Sequence, residues 1–301
     1  MAEITAKAVA ELREKTGAGM MECKKALTEA GGDMDEAVTI LRKRLGNKVS
    51  GREGRTAGEG IIEGLVTENR RIGVLVELNS ETDFVARNDE FRALARTLAE
   101  KVAAYGPGTV PTSVDTLLAD ALEDNKTVGE RLAEVAGRIG EKIVLSRFER
   151  FGAKEGNVVG HYVHNPGGKI GVLVELKGGD AETLAPLARE IALHIASANP
   201  RHLDEGDVSA DILDKEREIA RAQAAADPKM AGKPEKAIES MVTGRVRKFL
   251  EETVLLNQAY IRDDKKTVAQ LIKETPGASV VRFVRFKVGE TEGGQVVGDN
   301  S

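Results

Sequence analysis

The sequence predicts an α+β chain, and three observations carry that reading. The string IGVLVEL occurs twice, at residues 72–78 and 170–176, identical at all seven positions. Each copy is strand-like, rich in β-branched residues, and is followed by a helical stretch, 93–99 after the first and 186–192 after the second. Outside this repeat lie two segments of helical period, residues 1–45 and 207–250. The result is a pseudo-symmetric core of two related halves with helical modules attached. The strands repeat at an offset of 98 residues and the helices at 93, so the first strand–helix connection holds five extra residues. They fall in NSETDFVARNDEF, residues 79–91, which contains Asp83-Phe84-Val85, two apolar side chains in a polar segment. Loops on rigid scaffolds commonly carry function, so this enlarged loop is the first candidate site. Phe84 has two readings, folded back onto its own core or projecting into a partner, and periodicity does not choose between them. Asp89 is placed as the N-cap of the helix that follows.

In order, residues 1–45 read as three short helices. Thr5 caps the first, whose stripe is Ala8, Val9 and Leu12, and Gly17 stops it. The second carries Met20, Cys23, Ala26 and Leu27 and stops at Gly31-Gly32. Asp33 and Glu36 open the third as a capping box, with Ala37, Ile40, Leu41 and Leu45 inward. Met20 and Met21 are neighbours, and adjacent helical positions do not share a face, so one is expected inside and one outside. Residues 46–59 read as a basic, Gly-rich linker. Within residues 42–55 there are six basic side chains and one acid, read as a solvated segment before an RNA contact.

Residues 60–140 form the first core half: a hairpin of 61–66 and 72–78, the enlarged loop, an amphipathic helix marked by Phe91, Leu94, Leu98 and Val102, and helices at 114–122 and 128–139. Residues 141–206 and 251–290 form the second, with strands 143–148, 158–163 and 170–176 and a helix over 184–198. Between its two parts, residues 207–250 make a helical hairpin whose turn, 227–234, contains two prolines. Thr267 caps a short helix at 268–273, residues 279–288 are the final strand, and 291–301 read as a disordered tail. His161 and His164, three apart in a strand, point to opposite faces, and no metal site is expected.

At 301 residues, with 44 basic and 49 acidic side chains and a formal net charge of −5, the chain is no general nucleic-acid binder. The single cysteine, Cys23, forms no internal disulfide and fits a reducing, cytoplasmic setting. Charges at Glu3, Lys7 and Glu11 read against a signal-peptide core, and no apolar run approaches the roughly 20 residues that cross a bilayer. No GxxxxGK[ST] loop occurs, so direct nucleotide binding is not expected.

Two strings are specific enough to suggest a family. LREKTGAGMMECKKAL, residues 12–27, and ETDFVAR, residues 81–87, closely resemble the two signatures of bacterial elongation factor Ts. The paired GVLVEL runs, Ile139-Gly140-Glu141, the YxH run ending at His164 and RFVRFKVGE at 282–290 are similar to that family as well. The resemblance implies a guanine nucleotide exchange factor that binds elongation factor Tu and speeds GDP release, without covalent chemistry and without a cofactor of its own. It implies a ubiquitin-associated-like (UBA-like) three-helix N-terminus, a pseudo-symmetric α+β core and an inserted coiled-coil hairpin. It assigns Thr82, Asp83, Phe84 and Val85 to a loop that disturbs the partner's Mg²⁺ site. By the same resemblance Met20, Met21 and Lys24 touch the partner's nucleotide-binding domain, Ile139 and Gly140 lie near that contact, and His164 meets its third domain. Some members continue past the final strand into a helix packed on the partner. Residues 291–301 are too short and too Gly-rich for it.

Two rivals are weighed from the residues. An RNA-binding, ribosome-associated factor would use the basic residues of 42–55, although direct nucleic-acid binding is not expected from the overall charge. A hydrolase would use Glu81, Asp83 and Asp89, which lack a neighbouring nucleophile or histidine in sequence.

Overall fold

The computed structural model describes residues 4–16, 18–50, 54–122, 126–227, 233–290 and 294–298. Three helices come first: α1 (Ala6–Thr16), α2 (Met20–Glu29) and α3 (Met34–Ser50). Thr5 Oγ1 accepts the Ala8 N–H at 3.2 Å and the Asp33 carboxylate accepts the Glu36 N–H at 2.8 Å, so Thr5 and Asp33 cap α1 and α3; the Asp33 N–H donates to the Ala30 carbonyl at 3.0 Å, so the expected box forms only on its Asp33 side. Their common core is Val9, Leu12, Ala18, Cys23, Ala26, Leu27, Ala37 and Leu41. Gly17, expected to stop α1, lies outside the described residues.

The expected boundary at residue 45 needs correction. Helix α3 runs on to Ser50, five residues into the segment read as linker, and lies against α7 (Val128–Ile139). Its sequence holds no proline, and a single Gly46 in a helix costs only about 1 kcal/mol, too little by itself to end it. Residues 51–53 lie outside the described residues.

The chain divides into two compact units, Met1–Glu63 with Val76–Phe148, and Gly64–Leu75 with Glu149–Ser301. Strands β1 (Glu59–Val66), β2 (Ile72–Ser80) and β3 (Ile143–Gly152) form a sheet in that order, and the division falls within them. Thr67 N–H donates to the Ile72 carbonyl at 2.9 Å and closes the predicted hairpin. After β2 come α4 (Asp83–Ala86), α5 (Asp89–Ala104), α6 (Val114–Ala119) and α7. Helix α5 buries Phe91, Leu94, Leu98 and Val102, the stripe read from its period. Its cap is Asn88 rather than Asp89: the Asn88 side chain accepts the N–H groups of Glu90 and Phe91, and Asp89 is the first helical residue.

The second unit holds a four-stranded antiparallel sheet in the order β4 (Val158–Val163), β5 (Ile170–Lys177), β8 (Ser279–Lys287), β9 (Val297–Gly298). Helix α8 (Ala181–Ala198) lies on β4 and β5, so close that a Cβ on Gly160 would come within 2.5 Å of the Ala188 methyl. Helices α9 (Ala210–Ala226) and α10 (Glu235–Thr253) pack along Ala220, Ala224 and Val242 as the expected hairpin; residues 228–232 of its turn lie outside the described residues. A small β6 (Ala259–Tyr260) and β7 (Asp263–Thr267) pair precedes α11 (Val268–Lys273), which Thr267 caps reciprocally with Gln270. The tail read as disordered is corrected at Val297–Gly298, which pair with Phe283 and Arg282 of β8. Its two valines, Val296 and Val297, give the Gly-rich segment enough apolar surface to add an edge strand.

The repeat is structural. Both IGVLVEL copies are buried strands, β2 and β5, each followed by a helix, and each buries a glutamate at the same position. Glu77 (2% exposed) accepts from Arg147 Nε at 2.7 Å and from Asn79 Nδ2 at 3.2 Å. Glu175 (3% exposed) accepts from Arg282 Nε at 2.7 Å and from Asn157 Nδ2 at 2.7 Å. Each of the two desolvated carboxylates is paired with an arginine of the neighbouring strand and with an asparagine, so the two copies share a buried ion pair as well as a sequence.

Candidate functional site

The enlarged loop is an ordered single turn. Thr82 Oγ1 accepts the Val85 N–H at 3.4 Å, capping α4, and the Arg87 and Asn88 N–H groups donate to the Phe84 and Val85 carbonyls at 3.2 and 2.9 Å. Asn88 then starts α5, so the turn and the helix share one junction. Val85 and Ala86 face inward and are buried. Phe84, between Asp83 and Val85, is 80% exposed, the most exposed of the large apolar side chains that stand out in the structure. A four-residue turn buries one side, and Val85 and Ala86 occupy it. The open question about Phe84 is thereby decided: it is not part of the core. Asp83 is half-exposed and pairs with Arg87 Nη2 at 2.9 Å.

Two glutamates hold this turn. The Glu141 carboxylate accepts the Thr82 N–H at 3.0 Å and the Thr82 hydroxyl at 2.7 Å. Glu81 accepts the Lys142 N–H at 2.6 Å and Arg55 Nη1 at 3.2 Å. Gly140, directly before Glu141, caps α7 with φ 93°, a left-handed conformation that favours glycine. Ile139 and Gly140 directly precede Glu141 in the chain, and the Glu141 carboxylate reaches the loop through its hydrogen bonds with Thr82. Sequence reasoning named Glu81 only as a carboxylate for the hydrolase rival and gave Glu141 no role of its own. They sit in the quoted strings ETDFVAR and Ile139-Gly140-Glu141, but a pairing across about sixty residues leaves no local pattern.

On α2, Met20 and Met21 are 52% and 66% exposed, so the expectation that one is buried is corrected. The inward stripe of α2 is Cys23, Ala26 and Leu27, and the buried position ahead of it is taken by Ala18, leaving both methionines outside. Lys24 is exposed on the same helix. Two neighbouring thioethers in solvent make an adaptable contact surface.

His164 belongs to the second unit, just past β4, and is exposed; its Nδ1 lies 2.9 Å from the Tyr162 hydroxyl. The other assigned residues fall in the first unit. His161, inside β4, is held below the ordinary histidine range by burial and by Arg70 and Arg189. No group of three or more His, Cys, Asp or Glu among the described residues is arranged to hold a metal ion. No helix among them is long and apolar enough to cross a membrane.

Comparison with known proteins decides the family. Residues 81–290 match the family model described as elongation factor TS. The chain belongs to the elongation factor Ts family. Elongation factor Ts of Azoarcus sp. strain BH72 is 48% identical over 291 residues, covering 96% of this chain and 92% of that protein. Elongation factor Ts of Methylococcus capsulatus is 47% identical over 287 residues (95% and 92%), and that of Clostridium perfringens strain 13 is 45% identical over 293 (95% and 93%). Similarity of this extent reaches beyond the matched region into the three N-terminal helices. An elongation factor Ts assignment leaves the RNA-binding rival without support.

Proposed function

We propose that this chain is the guanine nucleotide exchange factor of elongation factor Tu, and that it loosens GDP by pressing the Asp83–Phe84 turn against the partner's Mg²⁺ and phosphate site. The observation that carries the reading is the placement of Phe84: a large aromatic, 80% exposed, held out on a turn whose other face is buried. An apolar ring costs free energy in water and gains it in a complementary pocket, so an ordered ring on a braced turn is prepared for insertion at small entropic cost.

The thermodynamics needs no covalent step. A protein that binds the empty partner more tightly than the loaded one must weaken nucleotide binding by the same factor. Mg²⁺ is held by few protein ligands together with phosphate oxygens, so a wedge beside it acts on metal and nucleotide together. Asp83 brings a negative charge to the same place, where it competes with phosphate for the cation. In this reading the chain needs no nucleotide site of its own. Met20, Met21 and Lys24 supply a second contact to the nucleotide-binding domain. Ile139 and Gly140 flank the wedge, and His164 contributes a separate contact from the second unit. The three N-terminal helices are read as UBA-like and the α9–α10 hairpin as a coiled coil. The setting is the cytoplasm, where translation takes place.

Equilibrium titration tests the reading. The chain is expected to bind nucleotide-free elongation factor Tu more tightly than its GDP complex, and to weaken GDP affinity by that same ratio. Equal affinity for the two forms would rule out exchange by this route.

A further inference from the structure

The loop that bears Phe84 is fixed by an exchange of hydrogen bonds between two dipeptides. Glu141 accepts the backbone N–H of Thr82, the residue after Glu81, at 3.0 Å. Glu81 accepts the backbone N–H of Lys142, the residue after Glu141, at 2.6 Å. Each glutamate therefore holds the backbone beside the other. The second oxygen of Glu141 takes the Thr82 hydroxyl proton at 2.7 Å. A hydroxyl has one proton; with that proton committed, its lone pairs are turned toward the Val85 N–H, which it caps at 3.4 Å. Arg55 adds a cation to the outer side of Glu81, and its carbonyl accepts from Lys142 Nζ at 3.0 Å.

We propose that Glu141 is a positioning residue for nucleotide exchange: together with Glu81 it locks the Thr82 cap and so holds Phe84 in the orientation that enters the partner. This deepens the exchange reading above and rests on it. Glu141 acts through Thr82 and Phe84 and has no part in it by direct contact with nucleotide. The clamp is made of charge-assisted hydrogen bonds, which are worth more than neutral ones, whereas a four-residue helix has almost no stability of its own. Without the clamp, Phe84 samples many directions and only a fraction of encounters insert it.

The experiment uses the full chain, elongation factor Tu loaded with a fluorescent GDP, and Glu141→Ala with the isosteric Glu141→Gln. Release is followed at increasing factor concentration. Glu141→Ala is expected to lower the saturating release rate by about tenfold, with a smaller effect from Glu141→Gln and little change in the half-saturating concentration. In a Phe84→Ala background the same change should cost less than about twofold, because the group it positions is gone. In the free chain, hydrogen exchange at the Val85 and Ala86 amides should quicken by about tenfold. If Glu141→Ala lowers the melting temperature broadly, Glu141→Gln carries the comparison. Wild-type exchange matched by both Glu141 variants overturns this inference alone. So does an equal loss in the Phe84→Ala background, which would make Glu141 a contact in its own right. A wild-type chain that leaves GDP release unaltered overturns the exchange reading and this inference together.

Discussion

Phe84→Ala separates a wedge from a contact surface and from a core residue. Fully burying a phenylalanine side chain is worth about 2–3 kcal/mol. With 80% of it exposed in the free chain, the substitution forfeits only about a fifth of that, roughly 0.5 kcal/mol. Alanine is the better helix former by a similar amount, so the two effects nearly cancel. The melting temperature should therefore move by no more than about 1–2 °C. In the complex the balance is different. Truncating an aromatic interface anchor commonly costs about 2 kcal/mol or more, which is roughly 30-fold. Stopped-flow release of fluorescent GDP from elongation factor Tu shows where that loss falls. A wedge mutant reaches a saturating rate about 30-fold lower, while the concentration at half-saturation barely changes. Equal weakening of binding to loaded and empty partner would reduce Phe84 to contact area. A melting temperature lowered by as much as emptying a core site would cause, about 3–5 kcal/mol, together with a normal release rate, would refute the placement of Phe84 outside the core.

Two further substitutions test the framework that carries the site. Arg282→Met removes the partner of the buried Glu175 carboxylate and the guanidinium stacked 4.3 Å from the Phe151 ring, so chemical denaturation should report a loss of about 3–5 kcal/mol. Adding Glu175→Gln should recover part of it, and a loss below about 1 kcal/mol for the single mutant would contradict a desolvated ion pair. His194 is buried with Nε2 2.9 Å from Gln258 Oε1, and burial holds its pKa below the ordinary histidine value of about 6.5. The unfolded chain then binds the extra proton first as pH falls, so stability is full above about 6.5 and declines below it. His161 is shifted in the same direction and adds to the slope. Melting temperatures measured across this range should fall toward acid, with a shallower slope in His194→Gln; an unchanged slope would contradict a neutral buried His194.

The sequence made the paired strands legible because a buried strand in each half needs the same run of β-branched and aliphatic side chains, down to the glutamate in IGVLVEL. Caps with a short-range pattern were equally readable: Thr5, Asp33 and Thr267 all accept the bonds expected of them. The cap of α5 shifted by one residue because Asn88 and Asp89 are both good caps and only the backbone path distinguishes them. Gly46 and the basic residues around it read as linker, since propensity does not register that α3 packs against α7. Val297 was hidden in a Gly-rich tail because edge pairing with Phe283 depends on a strand nearly fifteen residues away. The site itself divides in the same way. Phe84 was found as an anomaly in a repeat, whereas the Glu81–Glu141 clamp joins positions about sixty residues apart, and only the fold brings them together. The exposure of both Met20 and Met21 likewise depended on Ala18 closing the core ahead of α2.

The central claim is most directly tested by the dissociation rate of labelled GDP from elongation factor Tu, measured with excess unlabelled GDP in the absence and presence of this chain. The expected result is a rate that rises with factor concentration to a plateau at least about a hundredfold above the spontaneous one, a barrier reduction of about 2.7 kcal/mol. A dissociation rate that stays at its spontaneous value at every concentration of the chain would contradict the account.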